Sequence, residues 1–357
     1  MDHLDNTPID PILADLFHRF FDGTPVSAVI IDTSRGDADF RHTVIVTDKE
    51  GAKHVLKLAD NDFTFPEKMR MWQRTVEEYR KLGYDCPPIF CDRDGGFPAV
   101  EYQGHTCYVH AEAFAGYRPL SERTAADEDQ MREAYNGYLE DIWRMTARIA
   151  AKKLDYTDYP SAYCLFETFC PSDKTDEVLE NALAWKALAD ALPESFTAQV
   201  QRIWTLWSGN RESLAPLYRK LPTSVFQADL NATNLLIDED GTMKGVYDFN
   251  LSGKEVFLNY LMRENDSETI PQALEIASRY YAFSEEEKAA ALPLYRCLKP
   301  LWWNAAQDLR DAGTDADAIR RCLDRAERLL TEDLDFRSHM NGPTAETARG
   351  KIAESAC

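Results

Sequence analysis

A chain of 357 residues, 44% of them hydrophobic, is long enough for two lobes and apolar enough to build a core, which excludes global disorder. Its formal charge of −21 sets it against phosphate backbones and anionic membrane surfaces, and so argues against a nucleic-acid or membrane partner. No run approaches the ~20 apolar residues needed to cross a bilayer, and the acidic segment MDHLDNTPIDPI has no apolar core, so a soluble, cytoplasmic protein is expected.

The first 115 residues mix helix and strand. Apolar groups recur at helical spacing over 11–21, and β-branched runs occupy 26–31, 43–47 and 54–58, the last two joined by the turn former Asp48-Lys-Glu-Gly51. Met69, Trp72, Val76 and Tyr79 give an amphipathic helix over 66–82, and strands are expected over 86–90, 97–102 and 106–112. Beyond Gly116 the pattern turns helical, with helices expected over 128–153, 177–192, 196–206, 270–283, 285–305 and 316–330. One β-rich insert, 225–250, interrupts them. The eight cysteines form no C-x-x-C pair, so reduced structural thiols are expected rather than a zinc site. No G-x-S-x-G or H-E-x-x-H occurs, and of seven histidines only His339 lies beyond the first 115 residues, which leaves a hydrolase triad without a base there.

The insert carries the chemistry. Asn234-Leu-Leu-Ile237 and Gly245-Val-Tyr-Asp248 flank the turn Asp238-Glu-Asp-Gly241, which places Asn234 and Asp248 at the same end of one hairpin with Asp229 in the loop before it. Aspartate and asparagine are ordinary turn residues one at a time. Together they offer a base for a hydroxyl and hard oxygen ligands for Mg2+ beside a polyphosphate, which is what phosphoryl transfer needs.

Gln227-Ala-Asp229-Leu-Asn-Ala-Thr-Asn234 followed by Asp248-Phe249 resembles the catalytic loop and metal hairpin of the aminoglycoside phosphotransferase and choline kinase-like family, relatives of protein kinases. The resemblance implies an α+β, two-lobed protein kinase-like fold with a β-rich N-lobe and a mostly helical C-lobe. The division expected is a nucleotide-binding lobe over 1–115, a helical lobe over 116–340 holding the catalytic loop, metal hairpin and substrate site, and a flexible tail over 341–357. It implies Asp229 as the catalytic base, Asn234 and Asp248 as Mg2+ ligands, and Lys57 as the contact to the α- and β-phosphates of ATP. Ser34, Arg35 and Gly36, in the segment Ser34-Arg-Gly-Asp37, fall where the family's phosphate-covering loop lies, and backbone groups from Glu112 to Phe114 fall where adenine would be met.

The sequence departs from the family pattern at several points. Gln227 replaces the usual histidine and Ala228 the usual glycine, and Asn259 stands nearest to an aspartate that braces the loop. The acid paired with Lys57 is expected on helix 66–82. The family spacing falls on Gln73, which is not acidic, so Glu77 is chosen over Glu67. The expected activity is ATP- and Mg2+-dependent phosphorylation of a hydroxyl on a small, cationic acceptor of the aminoglycoside, choline or amino-alcohol type. The alternative is a non-catalytic relative that binds nucleotide or a protein partner. Trp302-Trp303 and Tyr295, and the acids Glu255, Glu264, Asp266 and Glu268, suit a core and a charged surface respectively, with a wall for a cationic acceptor as the competing role.

Overall fold

The computed structural model describes residues 7–36, 38–124 and 127–342. Asp37 of the expected phosphate loop and the tail from 343 onward lie outside them. The chain is α+β and divides into two compact units, one of residues 1–138, 170–172 and 227–253, the other of 139–169, 173–226 and 254–357. By this division the catalytic loop and hairpin pack with the N-terminal sheet.

The first unit is built on an antiparallel sheet. Its strands are β1 (Thr7–Pro8), β2 (Pro25–Asp32), β3 (Phe40–Asp48), β4 (Lys53–Asp60), β5 (Ile89–Phe90), β6 (Ala99–Tyr102) and β7 (His105–Ala113), in the order β1-β2-β3-β4-β7-β5 with β6 also paired to β7. β5 is shorter than the segment 86–90 suggested, because Pro87 and Pro88 have no N–H to give a ladder. The period-2 alternation of strands puts Phe40, Val44, Val46, Leu56, Leu58, Cys107, Val109 and Ala111 on one face, where they pack with Leu13, Leu16 and Phe17 of helix α1 (Pro11–Phe20). The same alternation sends Lys57 of β4 and His110 and Glu112 of β7 to the opposite face.

Helix α2 (Pro66–Lys81) follows, with Pro66 in its first turn and Met69, Trp72, Val76 and Tyr79 buried, as the spacing required. Strand β8 (Arg118–Pro119) leads into helices α3 (Leu120–Arg123) and α4 (Glu128–Asn136).

The second unit holds helices α5 (Leu139–Ala150), α6 (Glu177–Ala189) and α7 (Thr197–Tyr218), strand β9 (Thr223–Phe226), and, after the insert, α8 (Phe257–Glu264), α9 (Ile270–Ala277), α10 (Glu285–Leu298), α11 (Trp303–Ala312) and α12 (Ala316–Thr331). The helix expected over 128–153 is two helices parted at Gly137, and that over 285–305 is two parted beside Pro300, which cannot continue a helix. α7 runs past the expected residue 206 to Tyr218. Trp143 Nε1 donates to Asn265 Oδ1 at 3.0 Å and Trp207 Nε1 to the Cys297 carbonyl at 2.9 Å, so the buried indoles keep their hydrogen bonds. No helix among the described residues is long and apolar enough to cross a membrane. The seven described cysteines are free thiols.

Candidate active site

The insert folds into strands β10 (Leu235–Ile237) and β11 (Met243–Val246), antiparallel, with Leu235 opposite Val246 and Leu236 opposite Gly245. β8 pairs with β10 on its other edge. The turn forms where expected: the Asp238 carboxylate accepts from the amides of Asp240 at 3.0 Å and Thr242 at 2.8 Å, and Gly241 takes φ +81°. Gly245 has a different reason to be glycine. A Cβ there would lie 1.8 Å from the Asp85 carbonyl oxygen, and the Asp85 amide donates to the Lys244 carbonyl at 2.8 Å. The hairpin is thus held backbone to backbone against the chain that follows α2.

The Tyr247 amide donates to the Asn234 carbonyl at 3.2 Å, so Asn234 and Asp248 sit side by side at the hairpin's open end. Asn234, buried, donates its Nδ2 to the Asp229 carbonyl at 2.8 Å and to Asp229 Oδ2 at 3.2 Å. Asn231 Nδ2 meets Asp229 Oδ1 at 3.2 Å. The carboxylate of the proposed base is therefore aimed by two amides. Because Asn234 commits its nitrogen to the loop, its Oδ1, which takes a 3.3 Å bond from the Thr233 hydroxyl, is the atom left for a metal. Among the described residues no group of three or more His, Cys, Asp and Glu side chains is placed to hold a metal ion. Asn234 Oδ1 and the Asp248 carboxylate are hard oxygen donors, and two such donors leave positions for phosphate and water, which suits Mg2+.

Gln227, which stands where the family pattern has histidine, bridges the loop of Asp229 and the turn of Asp248. It is 0% exposed. Its Nε2 donates to the Asp248 carbonyl, with a longer bond to the Tyr247 carbonyl at 3.4 Å, and its Oε1 accepts from the Asp229 amide at 3.1 Å. An amide has both a donor and an acceptor, so one side chain ties the catalytic loop to the metal turn. The Tyr79 hydroxyl of α2 accepts from the Gln227 backbone amide at 3.0 Å, and the Tyr79 ring packs edge-on against Phe249 at 5.3 Å between centroids. Asp248 itself adopts a left-handed conformation, φ 61° and ψ 66°, which a non-glycine residue holds only when its surroundings impose it.

Lys57 Nζ donates to Asp248 Oδ1 at 3.0 Å across 191 residues of sequence, and lies 3.2 Å from Glu112 Oε1. Burial draws the Lys57 ammonium down in pKa, but Asp248 and Glu112 together outweigh it and hold it above its ordinary value. Burial likewise pushes the Glu112 carboxyl up, and Lys57 with a hydrogen bond from His110 overrides that, leaving it at about 2.

Two expected roles are not met. Glu77 is exposed, and the carboxylates at Lys57 are Glu112 and Asp248, neither from α2. The apolar stripe of α2 turns Glu67 and Glu77 outward, and Gln73 spends its amide on the Ile89 carbonyl at 2.8 Å. Glu112 was expected to offer its backbone. That backbone is inside the sheet, paired opposite Val55 and Ile89, and its side chain is what faces Lys57. Phe114 is exposed, with Lys53 Nζ 5.0 Å from its ring centroid.

The bonds of Ser34, Arg35 and Gly36 are local. The Arg41 amide donates to Ser34 Oγ at 2.9 Å, the Arg35 amide to the Asp39 carbonyl at 2.9 Å, and the Asp39 amide to the Gly36 carbonyl at 3.2 Å. They make an exposed loop at the end of the β2–β3 pair.

In the second unit Asn259 donates to the Tyr163 carbonyl at 3.0 Å and to Glu255 at 3.1 Å. Glu255 is buried and also accepts from Ser161, Tyr218 and the Val256 amide, which accounts for it as an internal carboxylate rather than a lining acid. Tyr295 is core, its hydroxyl donating to Glu332 at 2.6 Å, whereas Trp303 is 62% exposed.

A sheet-borne lysine brought onto the aspartate at a hairpin's open end, with a second aspartate in the preceding loop, is an arrangement fit for a kinase-like phosphotransferase. The chain belongs to the phosphotransferase enzyme family, whose model matches residues 33–257. No curated protein matches it in sequence. Among solved structures it is similar to a microcompartment-associated aminopropanol kinase, with TM-score 0.52, 15% identity, and 90% of this chain and 95% of that one covered. It is also similar to an amicoumacin kinase solved with AMP-PNP, Ca2+ and Ami, with TM-score 0.51, 11% identity and coverage of 92% and 96%. At such identities the likeness establishes the kinase-like fold.

Proposed function

We propose that this enzyme moves the γ-phosphoryl group of ATP to a hydroxyl of a small, cationic molecule of the aminoglycoside, choline or amino-alcohol type. The observation that carries the reading is the convergence of Lys57 on Asp248, with Gln227 joining Asp248 to the loop of Asp229. Lys57 is the phosphate contact, and Asn234 Oδ1 and the Asp248 carboxylate are the ligands of Mg2+. The ion, when bound, neutralises phosphate charge. Asp229, aimed by Asn231 and Asn234, orients the acceptor hydroxyl and takes its proton, so that catalysis rests mainly on positioning and charge neutralisation. The net charge of −21 favours a cationic acceptor, and the aminopropanol kinase neighbour acts on an amino alcohol by its name. Gln227, Asn259 and the absence of an acid for Lys57 on α2 favour a non-catalytic relative. Gln227 and Lys57 are filled by matched polar contacts, which supports the catalytic reading, while Asn259 uses its Nδ2 on Tyr163 and Glu255 and leaves its buried Oδ1 without a partner.

The test is an ATP-consumption screen over hydroxyl-bearing metabolites and antibiotics, with mass spectrometry of the product. A gain of one phosphoryl group is expected, and a gain of AMP would overturn the reading. Asp229→Asn should lower turnover by about 10² to 10⁴, the usual contribution of a general base. Equal turnover would remove Asp229 from its role.

A further inference from the structure

The phosphate-contacting lysine of this fold needs a carboxylate to hold it extended, and α2 supplies none. Glu67 and Glu77 face outward, Gln73 is bonded to β5, and Glu78 is paired with Lys81 at 2.6 Å. Lys57 is met instead from the neighbouring strand. On the β4–β7 ladder His110 lies directly opposite Lys57, and Glu112 opposite Val55. Glu112 is therefore the diagonal neighbour of Lys57 on the same face, within reach of a long side chain. Its Oε1 also meets His110 Nε2 at 3.2 Å. An ionised carboxylate only accepts, so this ring nitrogen carries the proton and donates it. Both Glu112 and His110 are 6% exposed.

We propose that Glu112, oriented by His110, is the anchor that positions Lys57 for the nucleotide, in place of an acid from α2. The inference rests on the kinase reading and extends it. Asp248 shares the lysine in this structure, but its side chain is 36% exposed and belongs to the metal set, whereas the Glu112 side chain is 8% exposed. If Asp248 were engaged by a metal ion, Glu112 would be the carboxylate left to Lys57.

The consequence is regulatory. In protein kinases the lysine's acid rides on a helix, and moving the helix breaks the pair. Here lysine and acid sit on adjacent strands whose ladder runs unbroken from His54 opposite Ala113 to Ala59 opposite Tyr108. A displacement of α2 leaves that ladder, and with it the backbone placement that sets Lys57 beside Glu112, unchanged.

The test is calorimetric binding of MgATP and of adenosine to the full chain and its variants. Glu112→Gln should weaken MgATP by about tenfold, the worth of one charge-assisted contact, and leave adenosine unchanged. Glu112→Asp keeps the charge but falls short by one methylene. It should weaken MgATP less, and it serves if the glutamine variant fails to fold. Lys57→Ala combined with Glu112→Gln should bind MgATP no worse than Lys57→Ala alone. Glu77→Gln should match wild type. Additive losses in the double variant, or a loss in Glu77→Gln with none at Glu112, would overturn the anchor. Wild-type protein that does not bind MgATP would overturn the kinase reading itself and this inference with it, whereas wild-type binding unaltered by either Glu112 change would overturn the anchor alone.

Discussion

Replacing Gln227 by Leu removes the tie between the catalytic loop and the metal turn while keeping side-chain volume. Gln227 is fully buried, and the two groups it would leave behind, the Asp229 amide and the Asp248 carbonyl, are partly buried, so the cost of stranding them is an upper range. The Asp229 amide loses its acceptor at 3.1 Å and the Asp248 carbonyl loses its donor. A buried polar group stranded in this way costs about 1–3 kcal/mol, so two cost roughly 2–6 kcal/mol. Burying leucine carbon in place of an amide returns on the order of 1–2 kcal/mol, so the net loss lies between about 0 and 5 kcal/mol, centred on about 2–3 kcal/mol. Urea unfolding followed by tryptophan fluorescence reads the loss as a lower midpoint at unchanged slope. Hydrogen exchange at the Asp229 amide reads the broken tie locally, and should quicken in the leucine variant. Stability within about 0.5 kcal/mol of wild type, the range of a neutral surface change, with exchange at Asp229 unaltered, would refute the brace. Gln227→His makes a companion experiment. A neutral imidazole can both donate and accept, but imidazolium cannot accept from the Asp229 amide. Folding then favours the neutral ring and holds its pKa below the unfolded value. The imidazole's contribution to stability in that variant should therefore be full above about 6.5 and be lost as pH falls below that toward the ring's lowered folded-state pKa, where the native amide does not titrate.

Other consequences can be measured in the same way. Gly245→Ala places a methyl 1.8 Å from the Asp85 oxygen, and the backbone on both sides is hydrogen-bonded. A loss of about 3 kcal/mol or more in urea is expected, and a near-wild-type midpoint would show that the hairpin is not seated on that segment. Glu112 is held at about 2 against an ordinary 4.5, so its ion pair contributes fully above pH 4.5 and is lost as pH falls toward 2. Glu112→Gln should flatten stability against pH below about 4.5, and an unchanged acid limb would count against the buried pair. Asp248 at φ 61° makes Asp248→Gly more stable than Asp248→Ala by about 1 kcal/mol, since both lose the carboxylate and only alanine keeps the left-handed strain. Equal midpoints would mean that the turn relaxes without its aspartate.

Local patterns carried much of the fold. The 3.6-residue stripe of α2 and the alternation in β3 and β4 appear where apolar residues recur at the right period, because each element has one buried face. Helix α8 was not foreseen, since every residue from Phe257 to Arg263 is buried and a helix covered all round shows little periodicity. Breaks at Gly137 and Pro300 were written in the chain, but their strength depends on what packs beside them. The turn at Asp238–Gly241 was legible because its chemistry is local.

Spacing alone brought Asp229, Asn234 and Asp248 together, because a hairpin fixes which residues end side by side whatever surrounds it. The partner of Lys57 is another matter. Glu112 faces Lys57 because β7 pairs with β4 in a particular register, and a shift of one residue would have turned it to the other side. The fit of Gln227 is equally nonlocal, resting on a carbonyl 21 residues away that only the closed hairpin delivers. The sequence by itself determined the grouping of Asp229, Asn234 and Asp248 proposed as the catalytic set, since short-range turn geometry suffices for it. Which carboxylate steadies the lysine, and what replaces the histidine, were decided by strand register and burial, which are properties of the assembled chain.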